Sequence, residues 1–140
     1  MQWLNDALAE IRDILQRQSI LTGPMADELE SARLDRDLEK LLSALVQRIA
    51  ASDGVEAVLA SKGENLMASA GPLIDYVALS EASYGAHWAM EKVAKAYELG
   101  EIQQTVLVGN NKKLAILTIG SVNIALVAQK DIVISTSLAN

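Results

Sequence analysis

The only histidine of the chain, His87, is the side chain best suited to acid–base chemistry at neutral pH. If this region is helical, Ser83 and Glu91 stand four residues to either side of it and share its face. Such a row contains a nucleophile, a base and an orienting carboxylate. It lacks a strained turn for the nucleophile, and the backbone N–H groups of a mid-helix segment are already bonded and cannot stabilise an oxyanion. We therefore predict that His87 is an interface or surface residue and that the protein is not an enzyme.

Other chemical signatures are absent from the sequence. It contains no glycine-rich phosphate-binding motif, no His-Glu-x-x-His and no Gly-x-Ser-x-Gly. With one histidine and no cysteine, a histidine- or thiolate-based metal site within one chain is excluded. The Lys112-Lys113 pair follows Asn110-Asn111, which is typical of a solvated hairpin tip. The sequence thus predicts no catalytic residues, no cofactor and no bound metal.

Composition and charge limit the class of protein. The chain has 140 residues, 51% of them hydrophobic, and a net charge of −6, which suits one domain with an appendage. Every arginine lies between positions 12 and 48, so no basic stripe favours nucleic acid or an anionic membrane. The longest apolar stretch, Leu114–Ala128, contains Thr, Gly, Ser and Asn and is too short to span a bilayer. With no cysteines, these features favour a cytoplasmic protein without membrane insertion.

Three stretches have the periodicity of helices. The first covers residues 2–18 and is followed by Thr22-Gly23-Pro24, which ends it. The second starts near Met25 and ends near Gly54, and the third covers Ile74–Leu99 with Asp75 near its N-terminus. We predict an amphipathic N-terminal helix in residues 1–22 and a domain in residues 25–140.

Five further stretches have the composition of strands. Two form a hairpin around Ser61–Glu64, and three form a meander with turns at Gly109–Asn111 and Gly120-Ser121. The predicted strands are Val55–Ala60, Asn65–Ala70, Ile102–Val108, Leu114–Ile119 and Val122–Ala128. This order predicts an α+β fold with a five-stranded, mostly antiparallel sheet (helix-strand-strand-helix-strand-strand-strand) and an additional N-terminal helix. The last two strands are apolar on nearly every residue, so helices should cover both faces of the sheet. The tail, Lys130–Asn140, is compatible with a strand or a short helix.

The third helix has two contrasting faces. On a helical wheel, a broad arc of small and apolar side chains is predicted to be core: Ala78, Leu79, Ala82, Ala86, Ala89, Met90, Val93, Ala96 and Tyr97. The opposite arc carries aromatic side chains beside polar ones: Tyr76, Ser80, Tyr84, His87, Trp88, Glu91 and Lys95. Grouped exposed aromatics are typical of partner surfaces. The alternative is that Tyr84 and Trp88 fold back over a neighbouring loop.

The span from Asp37 to Gln129 resembles the roadblock/LC7 family. The similarity is carried by a Leu-rich helix ending in Gly54-Val55-Glu56-Ala57-Val58, the hairpin around Lys62-Gly63-Glu64, the Ala-rich helix over 74–99, Val106-Leu107-Val108-Gly109 and Leu114–Gln129. The resemblance implies a homodimer whose central helices pack across a two-fold axis and whose first meander strand pairs with its twin. The implied interface residues are Tyr76, Ser80, Tyr84, His87, Trp88, Glu91, Gln104, Val106 and Val108.

The resemblance also implies a function. Members of this family act as non-enzymatic adaptors or regulators of small Ras-like GTPases, including GTPase-activating co-regulators. A small-molecule-sensing domain and a structural light-chain-like assembly subunit are the alternative interpretations. No arginine follows Gly54, so this region cannot donate an arginine finger. The C-terminal helix expected of the family is reduced to Ile132–Asn140, and we predict that the added helix, 2–18, covers the sheet area left open or clasps the second protomer.

Overall fold

The computed structural model describes residues 2–20, 28–71 and 76–131. Its helices and strands follow the predicted order. They are α1 (Gln2–Ile20), α2 (Glu28–Ala50), β1 (Val55–Lys62), β2 (Asn65–Ala70), α3 (Tyr76–Ala96), β3 (Gln104–Val108), β4 (Lys112–Ile119) and β5 (Val122–Gln129). The predictions made for Thr22-Gly23-Pro24, Met25, Ile74, Asp75 and Ile132–Asn140 fall outside the described residues.

The five strands form one sheet in the order β2-β1-β5-β4-β3. Every neighbouring pair is antiparallel. The predicted hairpin and meander require this for β1–β2, β3–β4 and β4–β5, and the β1–β5 pair joins the two groups. The strands β2 and β3 are therefore the two edges, and β5 lies at the centre. The predicted α+β class with a five-stranded antiparallel sheet is confirmed.

One face of the sheet is covered by α1 and α2. Leu4, Leu8 and Ile11 of α1 are buried in the same apolar cluster as Leu38 and Leu42 of α2. The sheet contributes aliphatic side chains to this cluster, among them Val58, Ala60, Ala115, Ile124 and Leu126. Each fully buried aliphatic side chain contributes roughly 1.5–3 kcal/mol of transfer free energy. The helix α1 thus packs on α2 and on part of this face of the sheet, whereas the tail that the prediction refers to lies outside the described residues.

The opposite face carries α3 over a much smaller core. The buried residues there are Ala57, Leu59, Leu79, Ile116 and Ala125. The strands β4 and β5 are accordingly buried from both sides, as their unbroken apolar sequence predicted.

The predicted core arc of α3 is wrong for most of its members. Leu79 is buried, Ala86 and Met90 are half-buried, and the others are exposed: Ala78, Ala82, Ala89, Val93, Ala96 and Tyr97. The helix is rotated so that Leu79, Ser83 and Ala94 face the sheet. Beneath the second half of α3, Thr118 of β4 contacts the His87 side chain of the helix, so this part of the contact between α3 and the sheet is polar.

Two turns are tighter than predicted. Lys62 pairs with Asn65, so the β1–β2 turn consists of Gly63 and Glu64 alone, with Gly63 at a φ of 60°. Lys112 already belongs to β4, and its ammonium group lies 2.7 Å from the Glu56 carboxylate. The Lys112-Lys113 pair is therefore part of a strand and not of the hairpin tip.

Candidate interaction surface

The exposed large apolar side chains are concentrated on α3, on β3 and on the segment between them. They are Val77, Tyr84, Trp88, Val93, Tyr97, Leu99, Val106, Leu107 and Val108. Leu66 on β2 is the remaining large apolar side chain that is exposed among the described residues. We call the exposed side chains of α3 together with those of β3 the α3–β3 surface. Its apolar character in a water-exposed position is what a partner surface requires.

The edge of β3 has unpaired backbone groups. The Thr118 N–H donates to the Gln103 carbonyl (3.0 Å), and the Gly109 N–H donates to the Lys112 carbonyl (2.9 Å). Successive residues of a strand point their backbone groups to opposite sides, so odd-numbered residues of β3 face β4. The N–H and C=O groups of Gln104, Val106 and Val108 therefore point away from the sheet.

Those three residues have their side chains on the face covered elsewhere by α1 and α2. Val106 lies directly opposite Ala115, which belongs to the larger core, and directly opposed residues share a face. Val106 is 43% exposed and Val108 is 67% exposed. Both the edge and the side chains of β3 are thus open to a partner.

The aromatic side chains predicted for a partner surface lie on the outside of α3. Tyr84 is 43% exposed and Trp88 is 54% exposed. The Lys92 ammonium lies 3.6 Å from the centre of the Trp88 ring, which is a cation–π distance. This exposure favours the partner-surface interpretation over aromatic rings folded back on a loop. Ser80 beside them is half-buried, and Glu91 is exposed.

Tyr76 and His87, predicted on the same surface, point partly into the chain. The Tyr76 hydroxyl donates to the Gly71 carbonyl at 2.6 Å, and its ring packs on the smaller core. The His87 side chain is only 13% exposed, with Nε2 2.9 Å from a Glu91 carboxylate oxygen. The structure thus places these two residues between α3 and the sheet and leaves Tyr84 and Trp88 outside.

A polar network seats the middle of α3 on the sheet. Thr118 Oγ1 lies 3.4 Å from His87 Nδ1 and donates to Asn123 Oδ1 at 2.8 Å. The Ser83 hydroxyl is buried without a hydrogen-bond partner among the described residues. The Ser83–His87–Glu91 row is therefore not organised as a triad, because its hydroxyl is not bonded to the imidazole. Sequence reasoning missed this network, although Thr118 and Asn123 were the polar interruptions in two apolar strands.

A cleft of about 1070 Å³ opens between α1, the second half of α3 and the β4–β5 turn. Its walls carry charged and amide side chains, including Arg12, Gln16, Lys95 and Gln103. Across the described ranges, no group of three or more His, Asp or Glu side chains is placed to hold a metal ion. In the same residues, none of the helices has the length and apolar character needed to cross a membrane.

The α1–α2 layer, the five-stranded antiparallel sheet and the single α3 on the other face form an α+β fold like that of roadblock/LC7 domains. Two solved structures share this fold with the chain. Myxococcus xanthus MglB aligns with a TM-score of 0.60 and 24% identity, covering 72% of this chain and 76% of its own. The gliding protein MglB of Thermus thermophilus aligns with a TM-score of 0.55 and 16% identity, covering 65% and 73%.

A third structure, a roadblock/LC7 domain from Streptomyces avermitilis, aligns with a TM-score of 0.49 and 18% identity over 67% of this chain and 79% of its own. No protein-family model and no curated protein matches the chain. The predicted resemblance to the roadblock/LC7 family is confirmed as a likeness of fold.

Proposed function

We propose that the chain forms a homodimer through the α3–β3 surface and acts as a non-catalytic adaptor or regulator of a small Ras-like GTPase in the cytoplasm. The observation that carries the proposal is the free β3 edge beside a helix that exposes Tyr84 and Trp88. Natural proteins cover such an edge, because its row of unpaired N–H and C=O groups invites pairing with another chain.

A second copy is the occupant that fits this edge. An antiparallel strand related to β3 by a two-fold axis presents the same row of donors and acceptors in the opposite direction, so the bonds are made reciprocally. The β3–β4 register runs without a bulge, which leaves β3 regular enough to pair on its other side. The β1–β2 register shifts between Ala60 and Ser61, and a bulge of this kind blunts pairing at the β2 edge.

The proposal that the partner is a small GTPase rests on the likeness of fold. The absence of arginine after Gly54 bears on how the chain would act on it. Both solved structures that carry the comparison are named MglB, and the resemblance implies regulation of a small GTPase. The chain has no arginine after Gly54, so this region would act by repositioning the GTPase's own groups. His87 is engaged with Glu91 and Thr118, and the Ser83 hydroxyl is not bonded to it, which supports a non-enzymatic role.

Trp88→Glu tests the dimer. We expect light scattering to report a dimer for the native chain and a monomer for this variant, because a charged carboxylate in place of the Trp88 ring would have to lose its water at the interface. Leu66→Glu is the matched control, since it places the same charge on an exposed apolar position at the opposite edge of the sheet. A Trp88→Glu chain that stays dimeric with unchanged stability would show that α3 lies outside the interface.

Capture of small GTPases tests the regulator. The native dimer is immobilised and exposed to candidate small GTPases from the same cells, loaded with GDP or with a non-hydrolysable GTP analogue. We expect nucleotide-dependent retention of one of them, and no retention by the Trp88→Glu monomer. Failure to retain any GTPase in either nucleotide state contradicts the proposal. Co-purification of a small metabolite would instead favour a sensor domain, for which the cleft beside α1 offers the space.

A further inference from the structure

The cleft beside α1 crosses the end of the sheet. Its walls come from α1 on one face and from the second half of α3 on the other, and the β4–β5 turn lies between them. Its volume of about 1070 Å³ is that of a site for a ligand of a few hundred daltons. We propose that this cleft binds a short peptide with free termini and holds it by its ammonium and carboxylate groups.

Side chains of both charges line the cleft without pairing with one another. Arg12 lies on α1, Lys95 on α3, and Glu98 and Glu101 on the segment that follows α3. Within the described ranges, none of these four side chains forms an ion pair or a hydrogen bond. A ligand that carries both charges would give each of them a counterpart, and hydrogen bonds between ionised groups are stronger than neutral ones.

The backbone of Glu98 is an independent observation at the same place. Its φ is 55°, and every other described residue with a positive φ is a glycine. The Leu99 N–H donates to the Ala94 carbonyl at 2.8 Å, which closes the end of α3, and glycine or asparagine is the usual residue in the left-handed position of such an end. A glutamate in this conformation costs stability. Its carboxylate lines the cleft, and binding the ammonium group of the peptide, together with Glu101, gives a reason for that cost.

The remaining polar groups of the cleft suit the rest of a peptide. Arg12 binds the carboxylate end, because its planar guanidinium matches a carboxylate with two parallel hydrogen bonds. Gln16 lies four residues further on the same face of α1, and Gln103 lines the cleft beside β3. An amide side chain both donates and accepts hydrogen bonds, so each glutamine can bond a peptide N–H or C=O group.

This inference does not rest on the proposed function. Tyr84 and Trp88, which carry the proposed partner surface, do not line the cleft. The dimer and the retention of a GTPase are measured without peptide, so failure of the cleft as a site leaves those experiments unaffected.

Titration with a panel of tripeptides tests the site. The peptides are Ala-X-Ala, with each of the twenty residues at X, and binding is followed by NMR of the peptide. We expect at least one peptide with free termini to bind the native chain, and the same peptide with an acetylated N-terminus and an amidated C-terminus not to bind. Arg12→Gln should weaken binding about tenfold or more. Arg17→Gln is the matched control, because it makes the same change on the same helix outside the cleft, and it should leave the affinity unchanged.

Glu98→Gly tests the role of the strained residue, because its expected effects on stability and on binding are opposite. At one protein concentration, we expect it to raise the thermal unfolding midpoint by roughly 2–4 °C and to weaken peptide binding about tenfold or more. Glu98→Gln should weaken binding without raising the midpoint. Glu81→Gln, exposed on α3 outside the cleft, is the control and should change neither.

Three results would overturn the peptide site: a panel without a binder, equal binding of the capped peptides, and a loss of affinity in Arg12→Gln no greater than in Arg17→Gln. A Glu98→Gly chain that binds the peptide with native affinity would overturn the role given to Glu98.

Discussion

Gly71 and Gly85 lie in opposite environments, although each is exposed. Gly71 has a φ of 115°, and a Cβ atom there would meet the Glu56 carbonyl oxygen at 2.5 Å and Ala57 Cα at 2.9 Å. Gly85 lies inside α3, where a Cβ atom would meet no other atom within 4 Å. The first needs glycine for its backbone and for space, and the second does not.

We therefore expect opposite effects of alanine at these two positions. Gly71→Ala should lower the free energy of unfolding by about 2 kcal/mol or more, from backbone strain and contact with β1. Gly85→Ala should raise it by roughly 0.5–1 kcal/mol, because alanine loses less conformational freedom in a helix. Urea denaturation of both variants at one protein concentration measures the difference. Equal effects would show that the turn at Gly71 relaxes without cost.

The hydroxyl of Thr118 joins α3 to the sheet and permits a second test at the level of single residues. Thr118→Val keeps the shape but removes the donor to Asn123 and the contact with His87. We expect a loss of about 1–2 kcal/mol in the free energy of unfolding, because the half-buried Asn123 oxygen loses its protein donor. Ser69→Ala, on the exposed edge of β2, is the control and should change stability by less than about 0.5 kcal/mol. A loss no larger than that of the control would mean that water replaces the hydroxyl at no cost.

Among the elements, α1 is the one whose role the sequence left open. Its repeat of apolar residues predicted a helix but not whether the helix lies on the domain or stands away from it. Leu8 is fully buried against the same core as Leu38 and Leu42, so α1 belongs to the packed layer. Periodicity reveals which side of a helix is apolar, while the surface that receives this side depends on contacts distant in sequence.

Leu8→Ala tests whether α1 is integral to the domain. We expect a loss of about 2–5 kcal/mol, as for any fully buried leucine, and a similar loss for Leu42→Ala in α2. Gln16→Ala, exposed on α1, should be nearly neutral and controls for helix propensity. A Leu8→Ala variant with native stability would indicate that α1 detaches without disturbing the sheet.

The orientation of α3 was harder to predict than its limits. Its extent is close to that predicted from sequence, yet its alanine-rich arc faces outward and Ser83 faces the sheet. A helical wheel assumes that the most apolar arc lies on the core. In this chain α3 also has apolar side chains on its outer side, where Tyr84 and Trp88 are exposed and are proposed to contact a partner. A single sequence does not separate residues buried by folding from residues buried by association.

At the scale of the whole molecule, the two edges of the sheet differ. The β2 edge carries a bulge and a single exposed large side chain, Leu66. The β3 edge is regular and exposes Val106, Leu107 and Val108 in a row. The composition of the strands predicts five of them but does not show which two lie at the edges of the sheet. That depends on the strand order, β2-β1-β5-β4-β3, and not on any one strand. This asymmetry supports the proposal that the chain associates through the β3 edge.

Proline substitutions at two neighbouring positions of β3 distinguish effects on association from effects on folding. The Val106 N–H points to the free edge, so Val106→Pro removes no hydrogen bond of the single chain but removes a donor from the proposed seam between two β3 strands. The Leu107 N–H points to β4, so Leu107→Pro breaks the sheet itself. We expect Val106→Pro to fold as a monomer with an unfolding midpoint independent of protein concentration, whereas the midpoint of the native dimer should rise with concentration. Leu107→Pro should lose about 3 kcal/mol or more of stability in either state. If Val106→Pro remains a dimer by light scattering, the subunits associate through α3 alone and β3 is not part of the seam.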